Sequence, residues 1–178
     1  RRGCFTGRRS FPWRFNFDRR GHWHHAYGWH KIPPDQDTLA EILLRQGYAT
    51  GLVADAYHMF KPTMNFTRGF VSYEFIRGQE NDNWKSCPRG MIRDAAARHS
   101  PDPQSVSATL EQYLRNQRFR KGEKDYQCAR VFRSAIEWIE DNAENGPFFL
   151  WVDSFDPHEP WDPPREYADR YCPDYKGI

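Results

Sequence analysis

The sequence lacks the features that mark small metal-held, disulfide-held or membrane-bound domains. Its four cysteines show no C-x-x-C spacing, which argues against a zinc module or a disulfide scaffold. No stretch approaches the ~20 consecutive apolar residues of a membrane span. The formal net charge of +2 is nearly balanced, so no attraction to nucleic acid or to a membrane surface is expected. With 178 residues the chain is long enough for a core, and one domain or a large piece of one is expected.

Residues 147–164, PFFLWVDSFDPHEPWDPP, are the most informative stretch of the chain. The unbroken apolar run at its start predicts a strand that is buried on both faces and lies centrally in a parallel sheet. The four prolines between residues 157 and 164 deny the next segment helix and ladder hydrogen bonds, so they predict a stiff extended loop. This loop presents His158 just past the carboxyl end of the strand, where open α/β sheets bind ligands.

Two helix–turn–strand units are predicted along the chain. In the first, Asp37-Thr38 begins a helix that stops at Gly47, and residues 48–54 form a strand. In the second, a helix over residues 124–143 leads into the strand that starts at residue 147. This helix is identified by one apolar face with a 3.6-residue period, made by Cys128, Val131, Phe132, Ala135, Ile136 and Ile139.

Three further helices complete the predicted elements. A short helix is expected at Arg2–Thr6, a polar helix at residues 102–120 with Ser105 as its N-cap, and a last short helix at residues 165–171. The alternation of helices and strands predicts an α/β fold with a mostly parallel sheet flanked by helices.

A second histidine, His58, lies a few residues beyond the first strand, as His158 lies beyond the second. An imidazole can protonate a leaving oxygen, or can hold an anionic oxygen when it is itself protonated. Lys61 adds positive charge beside His58, so the pair suits an anionic sulfate or phosphate ester. The alternative, that each histidine only bonds loop backbone, stays open. The histidines at residues 22–30 are predicted to form a surface loop, because no scaffold for a metal is evident there.

These blocks resemble the formylglycine-dependent sulfatases of the alkaline-phosphatase-like superfamily. The family signature is C-x-P-S-R-x-x-x-x-T-G-R, and residues 1–8, RRGCFTGR, match its last eight positions with Arg1 on the signature arginine. Residues 37–52 are similar to the helix and strand before the family's G-K-W-H motif. Residues 148–161 are similar to a later strand and its P-H-x-P loop. The three blocks occur in the family's order.

The resemblance implies a partial alkaline-phosphatase-like sandwich, with residues 1–178 forming an incomplete fragment of a sulfatase catalytic domain. The nucleophile would be a formylglycine, made from a Cys or Ser four residues before Arg1. Cys4 does not replace it, because the signature needs Pro two residues later and Thr6 stands there. The implied cofactor is Ca²⁺ or a similar divalent cation whose ligands lie outside the fragment, so no metal ligand is predicted here. The fragment alone is expected to be inactive.

The resemblance also implies residue roles. Arg1 would orient the formylglycine, His58 would match the histidine of G-K-W-H, and His158 would contact the sulfate or protonate the leaving oxygen. Residues 54–58, ADAYH, depart from the family because they have one extra residue and lack the motif lysine. Either Lys61 or a lysine outside the fragment would supply that charge. Lys61 and Trp161 are predicted to bind substrate. The implied substrate is a sulfated small molecule or glycan, and the implied location is periplasmic or secreted.

Two alternatives remain at this point. Within the superfamily, a phosphodiesterase or phosphonate monoester hydrolase would use much the same scaffold. From another class, the chain would be a non-catalytic carbohydrate-binding domain, since aromatic faces bind sugars. The tryptophans available for that role are Trp13, Trp23, Trp29, Trp84 and Trp161.

Overall fold

A computed structural model describes residues 1–8, 31–102 and 104–174. The histidines at residues 22–30 and the tryptophans at positions 13, 23 and 29 lie outside these residues. The helices are α1 (Arg2–Thr6), α2 (Leu39–Arg45), α3 (Tyr57–Phe60), α4 (Arg93–Ala97), α5 (Ala108–Gln117), α6 (Gln127–Asn142) and α7 (Arg165–Tyr171). The strands are β1 (Ala49–Ala54), β2 (Ser72–Phe75) and β3 (Phe148–Asp153). Short 3₁₀ turns lie at Arg89–Ile92 and Glu123–Asp125.

The three strands form one parallel sheet in the order β2-β1-β3. The Ala49 N–H donates to the Pro147 carbonyl at 3.0 Å, and the Asp55 N–H donates to the Asp153 carbonyl at 3.2 Å. Both residue numbers rise together along this pair of strands, so β1 and β3 run in the same direction. The predicted α/β fold with a parallel sheet flanked by helices is confirmed.

The predicted position of β3 in the sheet is wrong. Phe148 is exposed and the other residues of β3 are only half-buried, whereas five of the six residues of β1 are buried. Among the described strands β1 is central, and β3 lies at an edge with one neighbour. An unbroken apolar run indicates that a strand has apolar contacts, but it does not say how many strands lie beside it.

The chain divides into two compact units. The first consists of Arg1–Val53, His58–Glu74 and Ile136–Trp151, and the second of Ala54–Tyr57, Phe75–Ala135 and Val152–Ile178.

In the first unit, α1 contacts α2 and also places Phe5 in an aromatic core formed with residues outside α2. Phe5 is buried, and its ring meets Phe66 edge-on at 5.3 Å and Trp151 at 4.4 Å between centroids.

The start of α2 is fixed by a capping box in which the Thr38 hydroxyl accepts the Glu41 N–H at 3.1 Å, while the Glu41 carboxylate accepts the Thr38 N–H at 2.8 Å. The predicted start of this helix at Thr38 is therefore confirmed.

Arg68 holds the segment before β2 against the start of α2. Its guanidinium forms an ion pair with Glu41 at 2.6 Å and donates to the carbonyls of Pro33 at 3.0 Å and Gln36 at 2.7 Å. Gly69 follows with a φ of +81°, and a Cβ at this position would overlap the backbone of Glu41. The chain can approach α2 this closely because residue 69 has no side chain.

In the second unit, α4 and α5 share an apolar cluster formed by Ile92, Ala96, Tyr113 and Leu114. The predicted N-cap of α5 is wrong. The helix begins at Ala108, where the Ser107 hydroxyl accepts the Leu110 N–H at 3.2 Å, and Ser105 instead donates to the Asp102 carbonyl at 3.1 Å. Both serines suit a cap, and the sequence does not distinguish which of them has the required extended backbone.

Helix α6 lies where the 3.6-residue period predicts it, but only part of its apolar face is covered. Val131 and Ala135 are buried, whereas the Phe132 and Ile136 residues are 53% and 56% exposed. Farther along, the indole of Trp138 lies where a Cβ of Gly51 in β1 would be, so the helix packs directly on the sheet backbone. None of the helices in the described part of the chain has the length and apolar composition needed to span a bilayer.

Candidate functional site

His158 lies in the proline-rich loop after β3 and is held by its own neighbours. Its backbone N–H donates to the Phe155 carbonyl at 3.1 Å, and its ring stacks on the Phe155 ring with centroids 4.2 Å apart. Nδ1 lies 3.0 Å from the Glu159 carbonyl oxygen and 3.1 Å from the Glu159 carboxylate. Because both partners are acceptors, the proton belongs on Nδ1, and Nε2 is left for a ligand. The side chain is 44% exposed, so a ligand can reach it.

A cavity of about 450 Å³ adjoins His158 within the second unit. Its walls combine aromatic faces, loop prolines and charged groups, the combination that binds rings carrying polar substituents. The aromatic and charged lining residues are Tyr113, Tyr126, Trp161, Tyr167, Arg120, Glu123, Asp156 and Asp162. Burial raises the pKa of Tyr113 to about 12, so its phenol stays neutral and can donate to a ligand oxygen.

The residues that line this cavity include more carboxylates than basic side chains. Arg120 is the one arginine or lysine among the lining residues, and its guanidinium donates to Asp162 at 3.1 Å and to Gln127 at 2.5 Å. Glu123 accepts the hydroxyl hydrogen of Tyr167 at 2.5 Å. With Arg120 offset by Asp162, the carboxylates of Glu123 and Asp156 leave the cavity negative. A neutral or cationic ring therefore fits this lining better than an anionic ring does.

Trp161, predicted to bind substrate, lies at the rim of the same cavity. Its indole N–H donates to the Pro157 carbonyl at 3.0 Å, which fixes the ring on the loop that carries His158. The residue is 78% exposed, so its face is open for stacking. The structure therefore brings two of the predicted site residues, His158 and Trp161, to one cavity.

The other predicted site residues belong to the first unit. Arg1 is exposed and precedes α1 as its N-cap residue. His58 lies inside α3, is only 5% exposed, and meets Phe66 edge-on at 5.9 Å between centroids. Lys61 follows α3 and is half-buried. The roles of these three residues stay predictions.

Asp55 is a buried acid to which the sequence assigned no role. It directly follows β1 and is fully buried. Its Oδ1 accepts the Phe155 N–H at 2.5 Å, while Oδ2 has no hydrogen-bond partner. Burial is the main cause that raises the pKa of Asp55 to about 7, with smaller contributions from the nearby carboxylates of Asp156 and Asp153, and the Phe155 hydrogen bond opposes this rise. The signal that was available is its position directly after a strand at the carboxyl edge of the sheet.

Cys128 also lines the cavity but is not suited to be a nucleophile. Burial raises the pKa of its thiol, and Asp156 and Asp55 raise it as well. A thiol with a raised pKa stays protonated near neutral pH and reacts poorly. Cys4, the other cysteine considered in the sequence, is exposed in α1.

The described residues do not form a site for the divalent cation that the sequence resemblance implies. In residues 1–8, 31–102 and 104–174, no group of three or more His, Cys, Asp or Glu side chains is placed to hold a metal ion. Asp55, Asp153 and Asp156 lie near one another but do not form such a group.

A parallel α/β sheet with a histidine loop beyond a strand and a cavity beside it is an arrangement that many α/β proteins use to bind ligands. Comparison with known proteins identifies the family: the family model described as Sulfatase matches residues 7–177. Because this match covers nearly the whole chain, the protein belongs to the sulfatase family, which implies a hydrolase acting on sulfate esters. The fold is consistent with a partial alkaline-phosphatase-like domain.

The family match has a boundary that matters for the predicted site. It begins at Gly7, so it does not test the alignment of residues 1–6 with the sulfatase signature or the role of Arg1. No curated protein and no solved structure matches the chain.

Proposed function

We propose that this protein hydrolyses a sulfate ester and that His158 is the general acid for the leaving alcohol. The observation that carries the proposal is the held imidazole of His158, with its Nδ1 bonded to Glu159 and its ring beside a cavity. When the sulfur–oxygen bond breaks, the alkoxide needs a proton, and the imidazolium form of His158, which carries a proton on Nε2 as well as on Nδ1, gives it from Nε2. The cavity then holds the alcohol, with the ring of Trp161 at its rim.

The nucleophile is proposed to be a formylglycine that precedes Arg1, as the resemblance implies, and it would supply the hydroxyl that attacks sulfur. Arg1 is proposed to orient that group. His58 and Lys61 keep the roles implied by the G-K-W-H motif, contact with the nucleophile and positive charge for the sulfate. A divalent cation remains part of the proposal, with ligands outside the described residues.

Turnover of matched sulfate and phosphate esters tests this function. We expect the protein, with its proposed nucleophile present, to hydrolyse an aryl sulfate with kcat/KM about tenfold or more above that for the matching phosphate monoester or diester. A sulfate monoester carries one negative charge near neutral pH, whereas a phosphate monoester carries nearly two. Mass spectrometry of the peptide before Arg1 should detect the formylglycine.

Two outcomes would favour the alternatives. Preference for a phosphate diester or a phosphonate ester, with an unmodified nucleophile, would indicate a phosphodiesterase or phosphonate monoester hydrolase on the same scaffold. Binding of neutral sugars without turnover of any ester would indicate a carbohydrate-binding domain.

The charge of the cavity gives a second prediction, on the alcohol part of the substrate. An aryl sulfate with an added carboxylate should show a KM about fivefold above that of its neutral analogue. Two like charges roughly 8 Å apart in a partly solvated cavity repel by about 1 kcal/mol, which is about a fivefold change in affinity. In Glu123→Gln the ratio of the two KM values should fall toward one. An equal or lower KM for the carboxylated substrate in the unmodified protein would contradict the prediction.

A further inference from the structure

A chain of three contacts connects Asp55 with the imidazole of His158. The Asp55 carboxylate accepts the backbone N–H of Phe155 at 2.5 Å. The Phe155 carbonyl accepts the backbone N–H of His158 at 3.1 Å, and the two rings stack at 4.2 Å with an angle of 26° between their planes. Phe155 thus contacts His158 through both its backbone and its ring, and Asp55 holds Phe155.

We propose that Asp55 is a positioning residue for the reaction, which fixes Phe155 so that the stacked imidazole of His158 points its Nε2 at the leaving oxygen. The proposal rests on the proposed role of His158 as the general acid. Asp55 itself touches neither substrate nor reacting atoms. It acts on the direction of the imidazole and not on the binding of the alcohol.

Burial of the Asp55 carboxyl group lowers the stability of the fold, which is unexpected for a residue with only a structural role. The residue is fully buried, and one of its two carboxylate oxygens has no hydrogen-bond partner. A single backbone N–H needs only one acceptor, which an amide or a hydroxyl can also provide without a buried charge. Residues that break the usual rules of burial are expected where function requires them.

The groups around Asp55 bring its pKa close to neutral pH. The titratable groups that face it are Asp153 at the end of β3, Asp156 in the His158 loop, and Cys128 in α6. Asp156 is itself held by Gln79, which donates to its carboxylate at 3.1 Å. With a pKa of about 7, Asp55 passes from a neutral acid to a carboxylate as the pH rises through neutrality. An ionised acceptor binds the Phe155 N–H more strongly than a neutral one, so the loop is held more firmly at higher pH.

Two substitutions of Asp55 separate this role from a general effect on folding. Asp55→Ala removes the acceptor and should lower kcat by about 10- to 100-fold while KM changes by less than about threefold, because the imidazole is misdirected and the cavity is intact. Asp55→Asn keeps a carbonyl acceptor of the same shape. It should restore kcat to within about fivefold of the unmodified protein, and it should remove the increase in kcat that ionisation of Asp55 causes as the pH rises through about 7.

A spectroscopic measurement reports the geometry without any turnover. The stacked Phe155 ring shifts the NMR resonances of the His158 ring protons, which are assigned by their disappearance in His158→Ala. Asp55→Ala should abolish this shift and Asp55→Asn should keep it. As a control, Asp82→Asn changes another fully buried acid, which bonds Arg77 and Gly78 instead, and it should leave the shift and the pH profile unchanged.

The outcomes distinguish this proposal from the proposed function. If Asp55→Ala keeps both kcat and the ring shift, Asp55 is not a positioning residue. If the shift is lost while His158→Ala leaves kcat unchanged, the geometric role of Asp55 stands and the acid role of His158 fails. Should Asp55→Ala not fold, Phe155→Leu removes the ring stacking through which Asp55 acts on the imidazole while it keeps both backbone hydrogen bonds, and it should cause a similar loss of kcat. A normal kcat in Phe155→Leu overturns the proposal.

Discussion

Replacement of His158 by alanine is expected to lower kcat by about 10²- to 10⁴-fold, the usual range for a general acid or base. In the proposed reaction the imidazolium of His158 gives its Nε2 proton to the leaving alkoxide, and alanine has no proton to give. KM should change much less, because the walls of the cavity are formed by other side chains. Initial rates with an aryl sulfate over a range of concentrations give the two constants separately.

The chain offers a matched control for this experiment. His99 lies in the same unit, just after α4, and is not among the residues that line the cavity beside His158. His99→Ala should leave kcat and KM within about twofold of the unmodified protein, because His99 is half-buried outside the cavity and has no proposed part in the reaction. The expected loss should also shrink for aryl sulfates whose phenol is more acidic, because such leaving groups need less protonation. An unchanged kcat in His158→Ala would remove this residue from the mechanism.

Gly69→Ala should lower the free energy of unfolding by about 2 to 5 kcal/mol. Two costs add at this position. Residue 69 has a φ of +81°, a backbone conformation that is unfavourable by about 1 to 2 kcal/mol for an alanine. The new Cβ would also overlap the backbone of Glu41, and overpacking costs about 1 to 3 kcal/mol. The clash would separate the segment held by Arg68 from the start of α2.

Gly47→Ala separates the two costs. Gly47 ends α2 with a φ of +84°, but a Cβ there meets no atom within 4 Å. The substitution should therefore cost only the backbone term, about 1 to 2 kcal/mol. Urea unfolding followed by tryptophan fluorescence measures both variants under the same conditions. Equal destabilisation of the two would mean that the contact between residue 69 and α2 contributes nothing.

The elements that could be predicted from sequence are those fixed by local signals. Thr38 and Gly47 mark the two ends of α2, since a cap residue and a left-handed glycine act within one helical turn. The 3.6-residue period of α6 and the sequence of α7 likewise identify helices at the observed positions. Strand β2 was missed, because SYEF is short and carries three exposed residues, so it shows no hydrophobic pattern.

The features that could not be predicted depend on residues far apart in the sequence. The edge position of β3 is set by the strands beside it, and its own apolar run is the same at an edge or in the centre. The partner of Asp55 is Phe155, which lies 100 residues away. The sequence predicts both strands, β1 and β3, and a histidine beyond the end of each, His58 and His158. The sequence does not indicate that Asp55 bonds the loop after β3. The two positions come together only when β1 and β3 pair in the sheet, and no sequence pattern relates residues so far apart.

The hydrogen bond between His158 and Glu159 bears on how substrate range can change in this family. The partner that fixes the imidazole tautomer is the next residue in the chain, so the acid group is defined within one short loop. The cavity proposed to hold the alcohol is lined by this loop and also by side chains from α5, α6 and α7. Substitutions on those helices can therefore alter which ester is accepted while the proton donor is preserved. Related proteins can therefore differ in the ester that they accept while they keep the same proton-donating loop.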